Sequence, residues 1–192
     1  GAARLSRTAA AIVGKPFHKV VFGLHGSFAK TYKGHGTDIA LLAGAMGIRE
    51  DDEQLSKAFD LADGCGLSYS FEEIELEGVH ENSVCMTFYC DDGEVQQVTG
   101  SSVGGGQINI CRINDFETEF DANSAALIIS HRDEKGVISQ ITGILSDADI
   151  NIAVMKLSRR SKGIWLFVSL KQIVSLRRML SAGLKKLMPH GM

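Results

Sequence analysis

The chain reads as an α/β (α+β) protein: a mixed α/β first domain, then a ferredoxin-like β-α-β-β-α(β) second domain. Three observations carry this. The apolar run Val20–Leu24 passes through a dense polar stretch into a second apolar run, Ile39–Ala45, as when a buried strand feeds a helix. Between Ser68 and Phe120, short alternating stretches are separated by turn-forming residues, the mark of antiparallel hairpins. Beyond the polar stretch Asp121–Ser124 the pattern changes to alternating strand-like and helix-like apolar segments. The boundary set there gives domains of residues 1–122 and 123–192.

Each element has its own reason. Residues 1–13 are alanine-rich, with Arg4 and Arg7 spaced for one helical face, and Gly14 and Pro16 stop that helix. Lys19–Leu24 is a strand buried on both faces. His25–Asp38 has neither period, which predicts a loop. Thr37 is placed to cap a helix running to about Gly47. Asp51–Asp63 reads as one helix ending at Gly64, and Ser68–Glu77 as a strand with Tyr69, Phe71, Ile74 and Leu76 on its apolar face. Ser83–Cys90 and Glu94–Thr99 make a hairpin around Asp91-Asp92-Gly93, and Gln107–Ile113 and Phe116–Phe120 another around Asn114-Asp115. In the second domain Ala125–Ser130 is a strand, and Gly136–Asp147 is a helix with Val137, Ile138, Ile141, Ile144 and Leu145 on one face. Ile150–Leu157 and Gly163–Leu170 are strands, and Ile173–Leu187 is a helix. A last strand would follow Met188. Its absence, and the start at Gly1 without a methionine, are read as trimming, disorder or an edge completed by a partner.

Composition narrows the function. With 20 Lys and Arg against 23 Asp and Glu, no basic field exists for nucleic acid or an anionic membrane. No apolar run is long enough to span a bilayer, and no secretory signal precedes the first helix. Cys65, Cys85, Cys90 and Cys111 show no C-x-x-C spacing, so no zinc or iron–sulfur motif is expected; they read as reduced thiols of a cytoplasmic protein, Cys85 and Cys90 as small core residues.

Two places carry candidate chemistry. The first is His25–Asp38, HGSFAKTYKGHGTD, where histidines, lysines, hydroxyls, an aspartate and three glycines crowd fourteen positions between a buried strand and a buried helix. The second is the turn His131-Arg132-Asp133-Glu134-Lys135-Gly136 with Asn151 at the start of the next strand. An imidazole, a carboxylate and an amide together can hold both charged ends of a free amino acid.

Residues Ala126–Leu157, ALIISHRDEKGVISQITGILSDADINIAVMKL, resemble an ACT domain through strand, Asp, Gly-Val, apolar helix, Ile-Asn-Ile and Met155. The resemblance implies pairing of two copies side by side and, by likeness to serine-sensing members, amino-acid binding at His131, Asp133 and Asn151. Lys135 stands where many members have proline, which leaves the turn less rigid.

GAARLSRTA at the start, HGSFAKTYKGHGTD, VHENSV at Val79–Val84 and GSSVGGGQINI at Gly100–Ile110, followed by an ACT-like domain, resemble the β subunit of iron–sulfur-dependent L-serine dehydratase. That resemblance implies loss of water from L-serine to give pyruvate and ammonia, with a [4Fe-4S] cluster held by an α subunit and not ligated by this chain. It implies catalytic roles for His35 and Asp38, and substrate carboxylate or α-subunit contacts at Ser27, Lys30 and Thr31. It further implies L-serine and the α subunit as partners and a homodimer through the ACT domain. The family carries Ser-Ser-Ser-His-Thr just before the GAARL segment, and this chain starts after it. His25, nearer the strand, is expected to be structural. Ser101–Gly106 offers a nest of amides for an anion, a tight hairpin bend or close domain packing. The rival reading is a non-enzymatic serine-sensing and dimerisation module, since a similar pair of domains resembles the regulatory end of some phosphoglycerate dehydrogenases. No G-x-G-x-x-G follows a strand, which disfavours a dehydrogenase itself.

Overall fold

A computed structural model of the chain describes residues 1–123, 126–131, 134–160 and 163–170. It divides into two compact units, Gly1–Asp121 and Ala122–Met192.

The first unit is a six-stranded sheet with two helices packed on one face. Helix α1 (Ala2–Val13) ends where Gly14 takes a left-handed conformation and its amide bonds Ala10 O. Strand β1 (Phe17–Leu24) sits between β2 (Ser68–Glu73), which pairs with it in parallel, and the antiparallel β3 (Ser83–Cys90). Strands β4 (Val95–Gly104), β5 (Gln107–Ile113) and β6 (Phe116–Phe120) continue as a meander, giving the order β2-β1-β3-β4-β5-β6. β2 carries Glu72 and Glu73 on one outer strand, and β6 carries Glu117 and Glu119 on the other.

Between β1 and β2 lie helices α2 (Gly26–Thr31), α3 (Thr37–Ala45) and α4 (Ala58–Cys65), with a 3₁₀ turn at Glu53–Lys57. Period two along the strands decides the core. Val20, Phe22 and Leu24 of β1 and Val84, Met86 and Phe88 of β3 point to the face covered by Leu5 of α1 and Leu41 and Leu42 of α3, all fully buried. The two helices touch where Gly44 has no side chain: a Cβ there would stand 2.2 Å from Ala3 O.

Five expectations need correction. Strand β4 runs from Val95 to Gly104 rather than from Glu94 to Thr99. The polar segment contains a helix, α2, whose Ser27 amide finds a carbonyl partner, Glu81 O, far away in sequence. Thr37 does not cap α3; left-handed Gly36 precedes the helix, and Thr37 is its buried first residue. Asp51–Asp63 is two pieces, with Asp52 accepting from the Gln54 amide to start the 3₁₀ turn and α4 ending at Gly66. Strand β2 stops at Glu73 rather than Glu77.

The second unit has a three-stranded antiparallel sheet in the order β7-β9-β8 and one described helix. The strands are β7 (Ala126–His131), β8 (Ile152–Arg160) and β9 (Gly163–Leu170). Helix α5 (Val137–Asp147) buries Ile141 and Leu145 with Ile150, against Leu127, Ile129 and Ile152. The expected helix Ile173–Leu187 lies outside the described residues.

Candidate active site at the end of the first strand

The polar segment begins where β1 runs out, and its first residues are fastened by the connection from β2 to β3. The His25 amide donates to Ser83 O at 3.0 Å, and the Ile74 amide to Leu24 O at 2.9 Å. His25 Nδ1 accepts from the Leu76 amide at 3.2 Å. Accepting there, Nδ1 carries no proton, so the ring is the Nε2–H tautomer. The Glu75 carboxylate lies farther off, at 3.9 Å, and is fully in solvent. His25 is a structural histidine, holding the strand end to the crossing chain.

Helix α2 starts with Gly26 at φ 58. A Cβ at that position would stand 2.6 Å from Glu81 O, so only glycine lets the two segments meet. The Ser27 amide donates to Glu81 O at 2.8 Å and its hydroxyl to Glu81 Oε2 at 3.5 Å. Phe28 is buried and anchors the helix inward. Thr31 Oγ1 donates to Ser27 O at 2.8 Å, which ties that hydroxyl to its own helix, whereas Lys30 is exposed.

Beyond α2 the chain is held at one point. Tyr32 stacks on Phe71 with ring centres 5.8 Å apart, and Phe71 stacks on buried Phe22 at 4.9 Å. Lys33 Nζ lies 5.7 Å over the Tyr32 ring. The His35 amide donates to Thr31 O and the Thr37 amide to Tyr32 O. Between them His35 is exposed, and its imidazole makes no hydrogen bond or ion pair among the described residues. Asp38 Oδ1 accepts from the Ile39 amide at 2.9 Å. Its carboxylate thus sits on the first turn of α3, where the helix dipole favours it.

The segments singled out in the sequence converge at one end of the central strands β1, β3 and β4. Ser83 pairs with Ser101 across β3 and β4; their hydroxyls are buried and 2.7 Å apart, and Ser83 Oγ also donates to His80 O. The Ser102 amide donates to Asn82 O at 2.9 Å, and Arg4 Nη1 to Gly106 O at 3.2 Å. GAARL, the start of HGSFAKTYKGHGTD, VHENSV and GSSVGGG are therefore one connected assembly. Gly104–Gly106 lies at the β4–β5 turn, all three glycines with positive φ.

Among the described residues no three His, Cys, Asp or Glu side chains group as a metal site. Cys65 is exposed on α4, Cys90 is buried, and Cys85 and Cys111 are half-buried, so Cys85 is less enclosed than a core residue. Burial raises the Cys85, Cys90 and Cys111 thiols above their ordinary pKa. A cluster ligand must be a thiolate. No three of the four cysteines come together, so they do not fit an iron–sulfur cluster.

In the second unit His131 ends β7 and Asn151 is exposed immediately before β8. Asp133 lies outside the described residues. Gly136, left-handed, precedes α5.

The architecture is a mixed α/β unit displaying a histidine, His35, between its second and third helices, followed by a ferredoxin-type unit that matches the ACT domain family over residues 125–182. The chain is 39% identical over 153 residues to the L-serine dehydratase beta chain of Peptoniphilus asaccharolyticus, covering 79% of this chain and 69% of that one. It is 34% identical over 163 residues to the probable L-serine dehydratase beta chain of Bacillus subtilis, covering 85% of this chain and 74% of that one. It belongs to the L-serine dehydratase beta-chain family. It is also 30% identical over 150 residues to the D-3-phosphoglycerate dehydrogenase of Bacillus subtilis, covering 78% of this chain but only 28% of that enzyme.

Proposed function

We propose that this chain is the β subunit of an L-serine dehydratase and supplies a proton-transferring imidazole, His35, to a site completed by an α subunit. The observation that carries the reading is the contrast between His35, exposed and without a partner among the described residues, and the fastened residues around it. In the β-elimination of serine, Cα gives up its proton, the C–H electron pair becomes the Cα–Cβ double bond, and hydroxide leaves Cβ. The resulting enamine tautomerises to an imine, and water releases pyruvate and ammonia. A neutral imidazole suits the proton transfers near pH 7. His35 would take the Cα proton or return one to the leaving hydroxide, so that it departs as water.

Asp38 is a positioning residue in this scheme: bonded to the Ile39 amide, it fixes the start of α3 and so one end of the His35 loop. Lys30, exposed on the last turn of α2, is the group for a substrate carboxylate. Thr31 shapes α2 through its bond to Ser27 O. A [4Fe-4S] cluster belongs to the α subunit in this reading, because the cysteines here do not fit one. The second unit serves as a dimerising regulatory module, with His131, Asp133 and Asn151 contacting a free amino acid. A cytoplasmic setting is part of this reading, supported by four cysteines outside any disulfide.

The test is reconstitution. Mixed with an α subunit loaded with its cluster, the chain should give serine-dependent pyruvate, and neither subunit should do so alone. A mixture that stays inactive while the chain by itself binds L-serine in a calorimeter would leave the sensing module as the better reading. The match to part of a phosphoglycerate dehydrogenase is the observation favouring that second reading.

A further inference from the structure

We propose that the Tyr32 ring, seated on Phe71, positions His35: the stack sets where the imidazole stands, and Tyr32 and Phe71 act on the reaction only through it. The inference rests on the reading of His35 as the proton-transferring group of an L-serine dehydratase.

The stretch that carries His35 has little stiffness of its own. Gly34 and Gly36 flank it, and Gly36 is left-handed at φ 64. The His35 ring makes no hydrogen bond or ion pair among the described residues, so it gives the loop no hold. Two backbone bonds define the loop. The His35 amide donates to Thr31 O at 3.1 Å, and the Thr37 amide to Tyr32 O at 2.9 Å. Both acceptors lie at the end of α2, on Tyr32 and the residue before it. Where the Tyr32 backbone stands therefore decides where His35 stands.

Tyr32 is fixed by a ring contact to another part of the fold. Its ring centre lies 5.8 Å from that of Phe71 on β2, with the planes 27° apart. Phe71 stacks in turn on fully buried Phe22 of β1 at 4.9 Å, and meets Tyr69 edge-on at 6.3 Å. Tyr69 packs against Phe59 of α4 at 5.6 Å. The seat under Tyr32 is thus held from the core on one side and through α4 on the other. A stacked ring makes a stiff anchor, since it turns about only two side-chain torsions. Among the described residues the Tyr32 hydroxyl makes no hydrogen bond, so the anchor is the ring itself.

The experiment uses the reconstituted enzyme at saturating α subunit, with L-serine as substrate and the thermal midpoint of each variant measured alongside. Tyr32→Leu should lower kcat about 10–100-fold, the cost of misplacing a reacting group by about 1 Å, with KM moved by about threefold at most. Tyr32→Phe keeps the ring and should keep the wild-type kcat. Phe71→Leu should lower kcat in the same way, and the double variant should be no slower than the worse single one. The discriminating variant joins Tyr32→Leu to His35→Ala: with the imidazole gone, removing the ring should cost nothing further. If Tyr32→Leu does not fold, Phe71→Leu with and without His35→Ala decides by the same comparison. A further loss in the His35→Ala background, a Tyr32→Phe enzyme as slow as Tyr32→Leu, or a folded Tyr32→Leu enzyme with unchanged kcat overturns the inference and leaves the dehydratase reading standing. If His35→Ala itself leaves the rate unchanged, or the wild-type mixture forms no pyruvate, the underlying reading fails and the inference falls with it.

Discussion

The two halves of the polar segment are built on opposite principles. Its first half, His25–Ser27, is fastened to Leu76, Glu81 and Ser83 by bonds that cross fifty or more positions of sequence. Its second half, Lys33–Gly36, is held by short-range contacts: the His35 amide to Thr31 O, Gly36 O accepting from the Ala40 amide, and Lys33 over the stacked Tyr32 ring. One histidine lies in each half. His25, 13% exposed, accepts an amide; His35 faces solvent with its ring free of described partners. Residue type therefore does not separate scaffold from chemistry here. What separates them is whether the crossing connection between β2 and β3 reaches the side chain.

Substitutions on the two sides should break this contrast in different currencies. The largest effect belongs to His35→Ala: kcat of the reconstituted enzyme falls roughly 10²–10⁴-fold, the range for losing a general acid–base group, while the thermal midpoint stays put. An unchanged rate would remove His35 from the reaction. Gly26→Ala attacks the fastened half. Its added methyl meets Glu81 O in a left-handed backbone, so about 1–3 kcal/mol of stability should be lost in urea titration, and activity should drop through misplacement of α2. His25→Ala leaves the Leu76 amide without its acceptor, and about 1–2 kcal/mol should go in the same titration, with a smaller activity loss than at His35.

A control far from both halves should be the mildest. Lys15 bonds Asp92 at 2.8 Å and Glu94 at 2.6 Å across the β3–β4 turn. The hydrogen bond from Lys15 holds the Asp92 carboxyl below its ordinary value of 3.8, so this tie contributes above that pH and fades as pH falls through the lowered value. Lys15 is shifted the other way, above 10.5, by its bonds to Asp92 and Glu94, so its share is complete below 10.5 and lost only at higher pH. Lys15→Ala should therefore shift the urea midpoint slightly at pH 7, less as pH falls through the lowered Asp92 value, and leave pyruvate formation untouched.

Much of the scaffold was legible because local signals and tertiary demand agree. The alanine-rich start and Gly14 mark α1, and Asp91-Asp92-Gly93 and Asn114-Asp115 mark two hairpins with the strand limits the structure shows for Ser83–Cys90, Gln107–Ile113 and Phe116–Phe120. The apolar face of α5 packs as its spacing requires. Helix α2 was not legible, since six residues carry no amphipathic period and the Ser27 amide is satisfied by chain more than fifty residues away. Thr37 has the right chemistry for a cap, yet Gly36 takes the bend and leaves Thr37 inside the helix. His35 could be singled out from its glycine-flanked setting. Glu81 could not: nothing in VHENSV says that its carboxylate meets Ser27, and only the fold of the connection brings them together.

The six-stranded sheet stops, among its described residues, at two unpaired margins, and glutamates stand on both. Backbone at such a margin can recruit strands from other molecules. Here molecules approaching margin to margin would set like charge against like charge, so stacking into fibres is opposed before any hydrogen bond forms. Neutralising those four carboxylates would remove that repulsion.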